Sequence, residues 1–198
     1  MAKLYFKYGA MGSSKTAQAL ITKFNYEERG MKVWIGKPCI DTRDGDNVIQ
    51  SRIGLKTEAN VIKQNDNLYV LFYNMKEKYD VIIIDEAQFL EPEQVDELGD
   101  IVMQLKIPVM CFGLKTDFQT KMFPGSKRLF EIAESINEIK TICKCGRKAT
   151  VNARIDSDGK VITKGKQVEL GGNDKYIAMC YKCYSSIVRR KHILMDME

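Results

Sequence analysis

Residues 9–16, Gly9-Ala10-Met11-Gly12-Ser13-Ser14-Lys15-Thr16, lie between an apolar run and an amphipathic one. Before them, Leu4, Tyr5, Phe6 and Tyr8 read as a short buried strand. After them, Ala17, Leu20, Ile21 and Phe24 recur at i, i+3, i+4 and i+7, which predicts a helix that buries this face. Gly30 stands where such a helix would end, and Lys32-Val33-Trp34-Ile35-Gly36 reads as the next strand. Strand, helix and strand in this order make a βαβ unit, which implies a parallel sheet. The chain is therefore expected in the α/β class.

The loop itself follows the pattern G-x-x-x-x-G-K-[ST] except at Ser14, where the pattern has Gly. Small residues let backbone N–H groups turn onto phosphate oxygens, and the following helix adds its positive end. On this reading residues 9–14 cradle the phosphates of ATP. Lys15 contacts the β- and γ-phosphates, and Thr16 ligates Mg²⁺. A Ser-rich turn that merely caps a helix through Ser13 or Ser14 is the alternative. Farther on, the unbroken run Val81-Ile82-Ile83-Ile84 predicts a strand buried on both faces, with Asp85-Glu86 directly after it. Strand ends of an open parallel sheet face the ligand crevice. Asp85 then reads as a Mg²⁺ holder and Glu86 as a general base; two solvated carboxylates are the alternative.

Between these motifs, the polar residues 41–66 read as a mobile surface loop, followed by a helix over about 67–78. Pro92 opens a helix carrying Val95, Leu98, Val102 and Leu105. A strand is expected from Ile107 to Phe112, a helix over about 126–137, and a last core strand from Glu138 to Ile142. The texture then changes. Val151 to Lys164 alternates around Asp158-Gly159, a hairpin signal, and Gly171-Gly172-Asn173-Asp174 is a loop. The expected organisation is a nucleotide-binding domain over 1–140, a small domain over 141–190 and a basic tail over 191–198.

Cys143, Cys145, Cys180 and Cys183 form two thiol pairs that suit a tetrahedral zinc site, although one intervening residue in the first pair is fewer than usual. Disulfides are the alternative. No apolar run approaches the ~18 residues of a membrane span, and residues 1–6 turn polar too soon for a signal peptide. A cytoplasmic location follows as an expectation, and there clustered cysteines more often bind metal. Cys39 and Cys111 read as inert core thiols. The lone histidine, His192, reads as solvated, which leaves no multi-histidine site or triad. Residues 140–198 hold 13 Lys and Arg against 6 Asp and Glu, scattered without a long run. A solvated face fits this better than a nucleic-acid or membrane surface.

Together these segments resemble the zinc-containing (type II) thymidine kinases shared by bacteria and animal cytosol. The resemblance rests on the phosphate loop with Met11, on Asp41-Thr42-Arg43, on Asp85-Glu86-Ala87-Gln88-Phe89 and on Gly113-Leu114-Lys115-Thr116-Asp117-Phe118. It continues through Thr141-Ile142-Cys143-Lys144-Cys145-Gly146 and Gly171-Gly172-Asn173-Asp174-Lys175-Tyr176 to Cys180 and Cys183, so it covers nearly the whole chain. It implies a RecA-like P-loop sheet flanked by helices, and a zinc domain whose lasso loop closes over the nucleoside. It implies transfer of the γ-phosphoryl group of ATP to the 5′-hydroxyl of thymidine.

The same resemblance assigns roles. Glu86 takes the 5′-hydroxyl proton, Arg43 steadies the transferring group, Asp41 organises that region, and Gln88 belongs with the ATP–Mg²⁺ site. Phe89 and Phe118 pack around thymine, with Met11, Leu114 and Tyr176 near its methyl. Backbone groups of Glu169, Leu170, Gly171 and Gly172 read the base edge. A homotetramer with thymidine triphosphate as feedback inhibitor is also implied. Two departures are Ser14 and Asn152, the latter where the family often has Thr near the base. Two other functions stay open from the residues alone: an ATP-driven remodelling factor, and a zinc module with a dead phosphate loop.

Overall fold

The computed structural model describes residues 1–41, 45, 47–167 and 175–195, with side chains up to residue 188. Thr42, Arg43 and Asp44, and residues 168–174, lie outside the described residues. In chain order the elements are β1 Leu4–Tyr8, α1 Lys15–Glu27, β2 Val33–Pro38, β3 Val48–Gln50, β4 Lys56–Glu58, β5 Asn60–Ile62 and α2 Leu68–Asn74. Then come β6 Val81–Ile84, α3 Pro92–Asp100, β7 Val109–Gly113, α4 Pro124–Ile132, β8 Ser135–Glu138, β9 Val151–Ile155, β10 Val161–Ile162, β11 Tyr176–Met179 and α5 Tyr181–Met195.

Six strands form one sheet in the order β5-β2-β6-β7-β1-β8, and every pairing in it is parallel. β6 explains the apolar run. Val81 and Ile83 pack with Ala19 and Leu20 of α1 and with Phe112. Ile82 and Ile84 face the other way, into Leu68 and Phe72 of α2, Val95 and Leu98 of α3, and Leu129 of α4. Helices thus cover both faces, the condition under which a strand carries no polar alternation. Because the strands run the same way, Gly9, Asp41, Asp85 and Leu114 all follow their C-terminal ends along one edge. A separate three-stranded antiparallel sheet, β10-β9-β11, holds the expected hairpin and its own small core of Val151, Ala153, Val161 and Tyr184.

Several local expectations change. The buried face of α1 is Lys15, Ala17, Ala19 and Leu20, while Ile21 and Phe24 are 47% and 61% exposed. The buried positions all fall between Lys15 and Leu20, so burial follows position along the helix as well as around it. Residues 47–62 are not a mobile loop: β3 and β4 pair as an antiparallel hairpin, and β5 joins the edge of the main sheet. Its short strands alternate too briefly to register as a pattern. The last helix of the core starts at Pro124 and the last core strand is Ser135–Glu138, so Ile142 lies 76% exposed beyond it. The backbone of residues 191–195 continues α5 rather than forming a tail. Cys111 is buried as expected, but Cys39 is exposed because it follows the end of β2.

The start of α4 presses on the segment that follows β6. A Cβ on Gly125 would lie 2.4 Å from the Leu90 carbonyl oxygen and 3.0 Å from that of Ala87. Gly125→Ala is expected to destabilise the protein by about 1–3 kcal/mol, read as a lower urea midpoint at unchanged slope.

Candidate functional site

The loop between β1 and α1 is built by backbone anchors. The Gly9 N–H donates to the Gly113 carbonyl at 3.2 Å, which ties the loop to the end of β7. A Cβ on Gly9 would sit 2.4 Å from the Ile139 carbonyl oxygen, so only glycine passes there. The Ser13 N–H donates to the Ala10 carbonyl at 3.2 Å. Ser14 answers the question its departure raised. It adopts φ 62°, ψ 27° as the cap of α1, the left-handed conformation that glycine reaches freely. The serine keeps the loop's path at a backbone cost of about 1–2 kcal/mol. Lys15 Nζ donates to the Ala10 carbonyl at 2.9 Å and to Ser13 Oγ at 3.4 Å.

Asp85 and Glu86 differ sharply although adjacent. Asp85 is 3% exposed, and burial, then the Glu86 charge, raise its pKa to about 7. The polar Thr16 side chain, the Glu86 backbone and the Lys15 charge, in that order, limit the rise. Glu86 sits at φ 52°, a conformation that costs a residue with a side chain and clusters at functional sites. Gln88 Nε2 donates to Glu86 Oε2, and Gln88 Oε1 accepts from the Leu114 N–H at 2.9 Å. Gln88 thus faces the Glu86 carboxylate and fixes its direction.

A cleft of about 360 Å³ joins these groups; Met11, Gly12, Ser14, Lys15, Thr16, Asp41, Arg52, Asp85, Glu86 and Leu114 line it. Asp41 is buried and paired with the equally buried Lys37 at 3.5 Å; Lys37 also donates to the Gly45 carbonyl at 2.8 Å. Asp41 is therefore held from inside the protein while its edge borders the cleft. Arg43, Glu169, Leu170, Gly171 and Gly172, expected at the site, lie outside the described residues.

Phe89, Phe118 and Tyr176 do not line this cleft. Phe89 is half-buried against Phe123, edge to face at 5.6 Å. Phe118 is 1% exposed, and the Arg154 guanidinium lies 3.9 Å from its ring centre. The Tyr176 hydroxyl accepts from Arg154 at 2.8 Å. Asn152 reaches between the two sheets. Its Oδ1 accepts from the Met11 N–H at 2.8 Å and its Nδ2 donates to the Thr116 carbonyl at 2.9 Å.

The four cysteines converge. All four Sγ atoms lie within 4.8 Å of one another, and the Cys145 and Cys180 sulfurs are 3.6 Å apart. Four thiolates at ~2.3 Å from a tetrahedral ion stand about 3.8 Å apart, so the set can hold a metal ion. The backbone N–H groups of Cys145 and Cys180 pull the Cys143 thiol down to about 6. Hydrogen bonds with Cys145 and Cys180 push Cys183 the other way. Crowded thiols lose a first proton readily and a last one reluctantly; a bound cation relieves that.

Residues 2–184 match the family model described as thymidine kinase. The chain belongs to the thymidine kinase family. A thymidine kinase of Legionella pneumophila (strain Lens) is 49% identical over 183 residues, covering 91% of this chain and 88% of that one. One of Agrobacterium fabrum is 47% identical over 182 residues, 91% and 94% of the two chains. One of Streptococcus pyogenes serotype M3 is 45% identical over 185 residues, 93% and 97%. Among solved structures, a DNA replication initiation factor aligns at a TM-score of 0.39 and 15% identity, over 70% of this chain and 40% of its own. That likeness is too slight to bear on this member of the family.

Sequence reading overlooked Lys37, Arg52 and Arg154. Arg52 lies on the hairpin, and a Cβ placed on Gly12 would be 3.5 Å from one of its guanidinium nitrogens. None of these residues sits in a recognisable motif; each acquires its place only when distant segments pack. Two outcomes follow. Ser14→Gly, which relieves the left-handed backbone, raises the melting temperature by about 2–6 °C and leaves the fold unchanged by circular dichroism. Cys145→Ser lowers metal retained through gel filtration, read by elemental analysis, and loosens β9–β11 in hydrogen exchange.

Proposed function

We propose that this chain transfers the γ-phosphoryl group of ATP to the 5′-hydroxyl of thymidine, giving thymidine 5′-phosphate and ADP. The observation that carries the reading is the joint placement of Lys15, Asp85 and Glu86 on one cleft in a chain of this family. Phosphoryl transfer asks a protein mainly for positioning and charge stabilisation. The loop of Gly9, Ala10, Met11, Gly12, Ser13 and Ser14 offers its N–H groups to the phosphates, and Lys15 turns from the Ala10 carbonyl to the β- and γ-oxygens. The Thr16 hydroxyl and the Asp85 carboxylate, which border the same cleft, form the oxygen pair that would hold Mg²⁺. When bound, Mg²⁺ neutralises charge on the phosphoryl oxygens.

Glu86 accepts the 5′-hydroxyl proton, with Gln88 holding its carboxylate in line. Arg43 steadies the transferring group beside Asp41. Met11, Phe89, Leu114, Phe118 and Tyr176 bound the thymine, and backbone groups of residues 169–172 read its polar edge. Some activity on deoxyuridine is expected as well, since one missing methyl is worth only ~1–3 kcal/mol in an apolar pocket. Residues 1–140 act as the kinase unit and 141–190 as the nucleoside-closing unit. The cysteine set holds zinc, because soft thiolates in a closed tetrahedron favour that ion. A cytoplasmic location agrees with free thiols gathered for metal. The homotetramer and feedback by thymidine triphosphate rest on the family resemblance. Among the described residues no helix is long and apolar enough to cross a membrane.

A coupled ADP-release assay tests this with ATP–Mg²⁺ and thymidine, deoxycytidine, deoxyadenosine or no nucleoside. Turnover on thymidine is expected, with kcat reduced about 10²–10⁴-fold in Glu86→Gln. ADP release without nucleoside would overturn the reading in favour of an ATP hydrolase.

A further inference from the structure

β9 alternates along its length. Val151 and Ala153 enter the small apolar core with Val161 and Tyr184. Asn152 and Arg154, at the intervening positions, are 3% and 1% exposed; Asn152 bonds to Thr116, and Arg154 to Lys166, Gln167 and Tyr176. A buried cation forgoes much of its hydration, and an apolar residue of similar volume often holds a core as well or better. Stability alone therefore gives no reason for an arginine at this position.

Its contacts give one. The guanidinium carbon lies 3.9 Å from the centre of the Phe118 ring and 5.3 Å from that of Tyr176. Nε donates to the Tyr176 hydroxyl at 3.0 Å, and one terminal nitrogen donates to the same oxygen at 2.8 Å. That nitrogen also donates to the carbonyls of Lys166 at 3.0 Å and Gln167 at 3.3 Å. A Cβ on Gly165 would lie 3.3 Å from the other terminal nitrogen, so glycine leaves room for the fork. One side chain thus holds an aromatic face on the loop after β7, the hydroxyl of β11, and two carbonyls before residue 168.

We propose that Arg154 is a positioning residue for the nucleoside base: it sets the rings of Phe118 and Tyr176 and the backbone at Lys166 and Gln167 as one rigid group. This rests on the thymidine kinase reading above. Guanidinium alone can do it, since stacking needs a plane and the hydroxyl and carbonyls need a fork of donors; an ammonium has neither. The phosphate end of the site is secured by other groups, Gln88 on Glu86 and Asn152 on Met11. Removing Arg154 therefore separates nucleoside binding from ATP binding.

The experiment is steady-state kinetics on the full chain for wild type, Arg154→Lys, Arg154→Met and Tyr176→Phe, varying thymidine and ATP in turn. Thermal melts run in parallel. The thymidine KM is expected to rise about tenfold or more in both Arg154 variants, with the ATP KM within about twofold. Lysine should not rescue. Tyr176→Phe, which removes only the shared hydroxyl, should raise the thymidine KM in the same direction by less. Equal rises in both KM values, or no rise in either, would overturn the assignment. Loss of the folded transition in both Arg154 variants, with Tyr176→Phe at the wild-type KM, would make Arg154 purely structural and also overturn it. Wild type without thymidine turnover would remove the kinase reading itself, and this assignment with it.

Discussion

Covering β6 on both faces is the constraint from which the site follows. Val81 and Ile83 require α1 on one side, and Ile82 and Ile84 require α2, α3 and α4 on the other. A strand buried in this way pairs in parallel on both edges, with β2 and β7. Parallel neighbours deliver their C-terminal ends to one edge of the sheet. That edge receives the Gly9 loop, the Asp41 turn, the Asp85-Glu86 pair and Leu114. The chemistry is thus placed by strand direction, before any side chain of the site makes a contact.

The charges at this edge are handled unequally, and the inequality sets their capacities. Asp85 is buried deeply enough that its carboxyl is pushed up to about 7, with the Glu86 charge adding to the effect of burial. Glu86 stays half-buried on a left-handed backbone, with Gln88 directing its oxygen. One carboxylate is thus enclosed by the fold, and the other borders the cleft with its direction set by Gln88. Lys37 and Asp41 pair out of solvent, where removing either partner would strand a buried charge. The small sheet relies on another means: its apolar core is slight, and four sulfurs within 4.8 Å of one another offer a metal ion the role of a core.

Much of this was legible. The strands around Leu4–Tyr8, Val33–Pro38 and Val81–Ile84, the helix opened by Pro92, and the hairpin around Asp158-Gly159 all follow from local period and turn chemistry. The errors came where local signals were short or two-sided. The strands of three residues between 48 and 62 were too brief to alternate visibly. Ile21 and Phe24 fit a helical stripe yet are exposed, because burial of α1 ends at Leu20.

By itself the sequence determined the α/β class, the small-residue loop between β1 and α1, the acidic pair after β6 and the two cysteine pairs. Each of these is a local pattern whose chemistry depends on near neighbours in the chain. Tertiary structure alone decided that Ser14 takes glycine's conformation, that Gln88 turns onto Glu86, and that Asn152 joins Met11 to Thr116. It alone placed Arg154 between Phe118 and Tyr176. For the Asn152 and Arg154 contacts the physical reason is separation along the chain. Met11 and Asn152 are 141 residues apart, and no spacing rule spans that distance until two sheets have packed against each other.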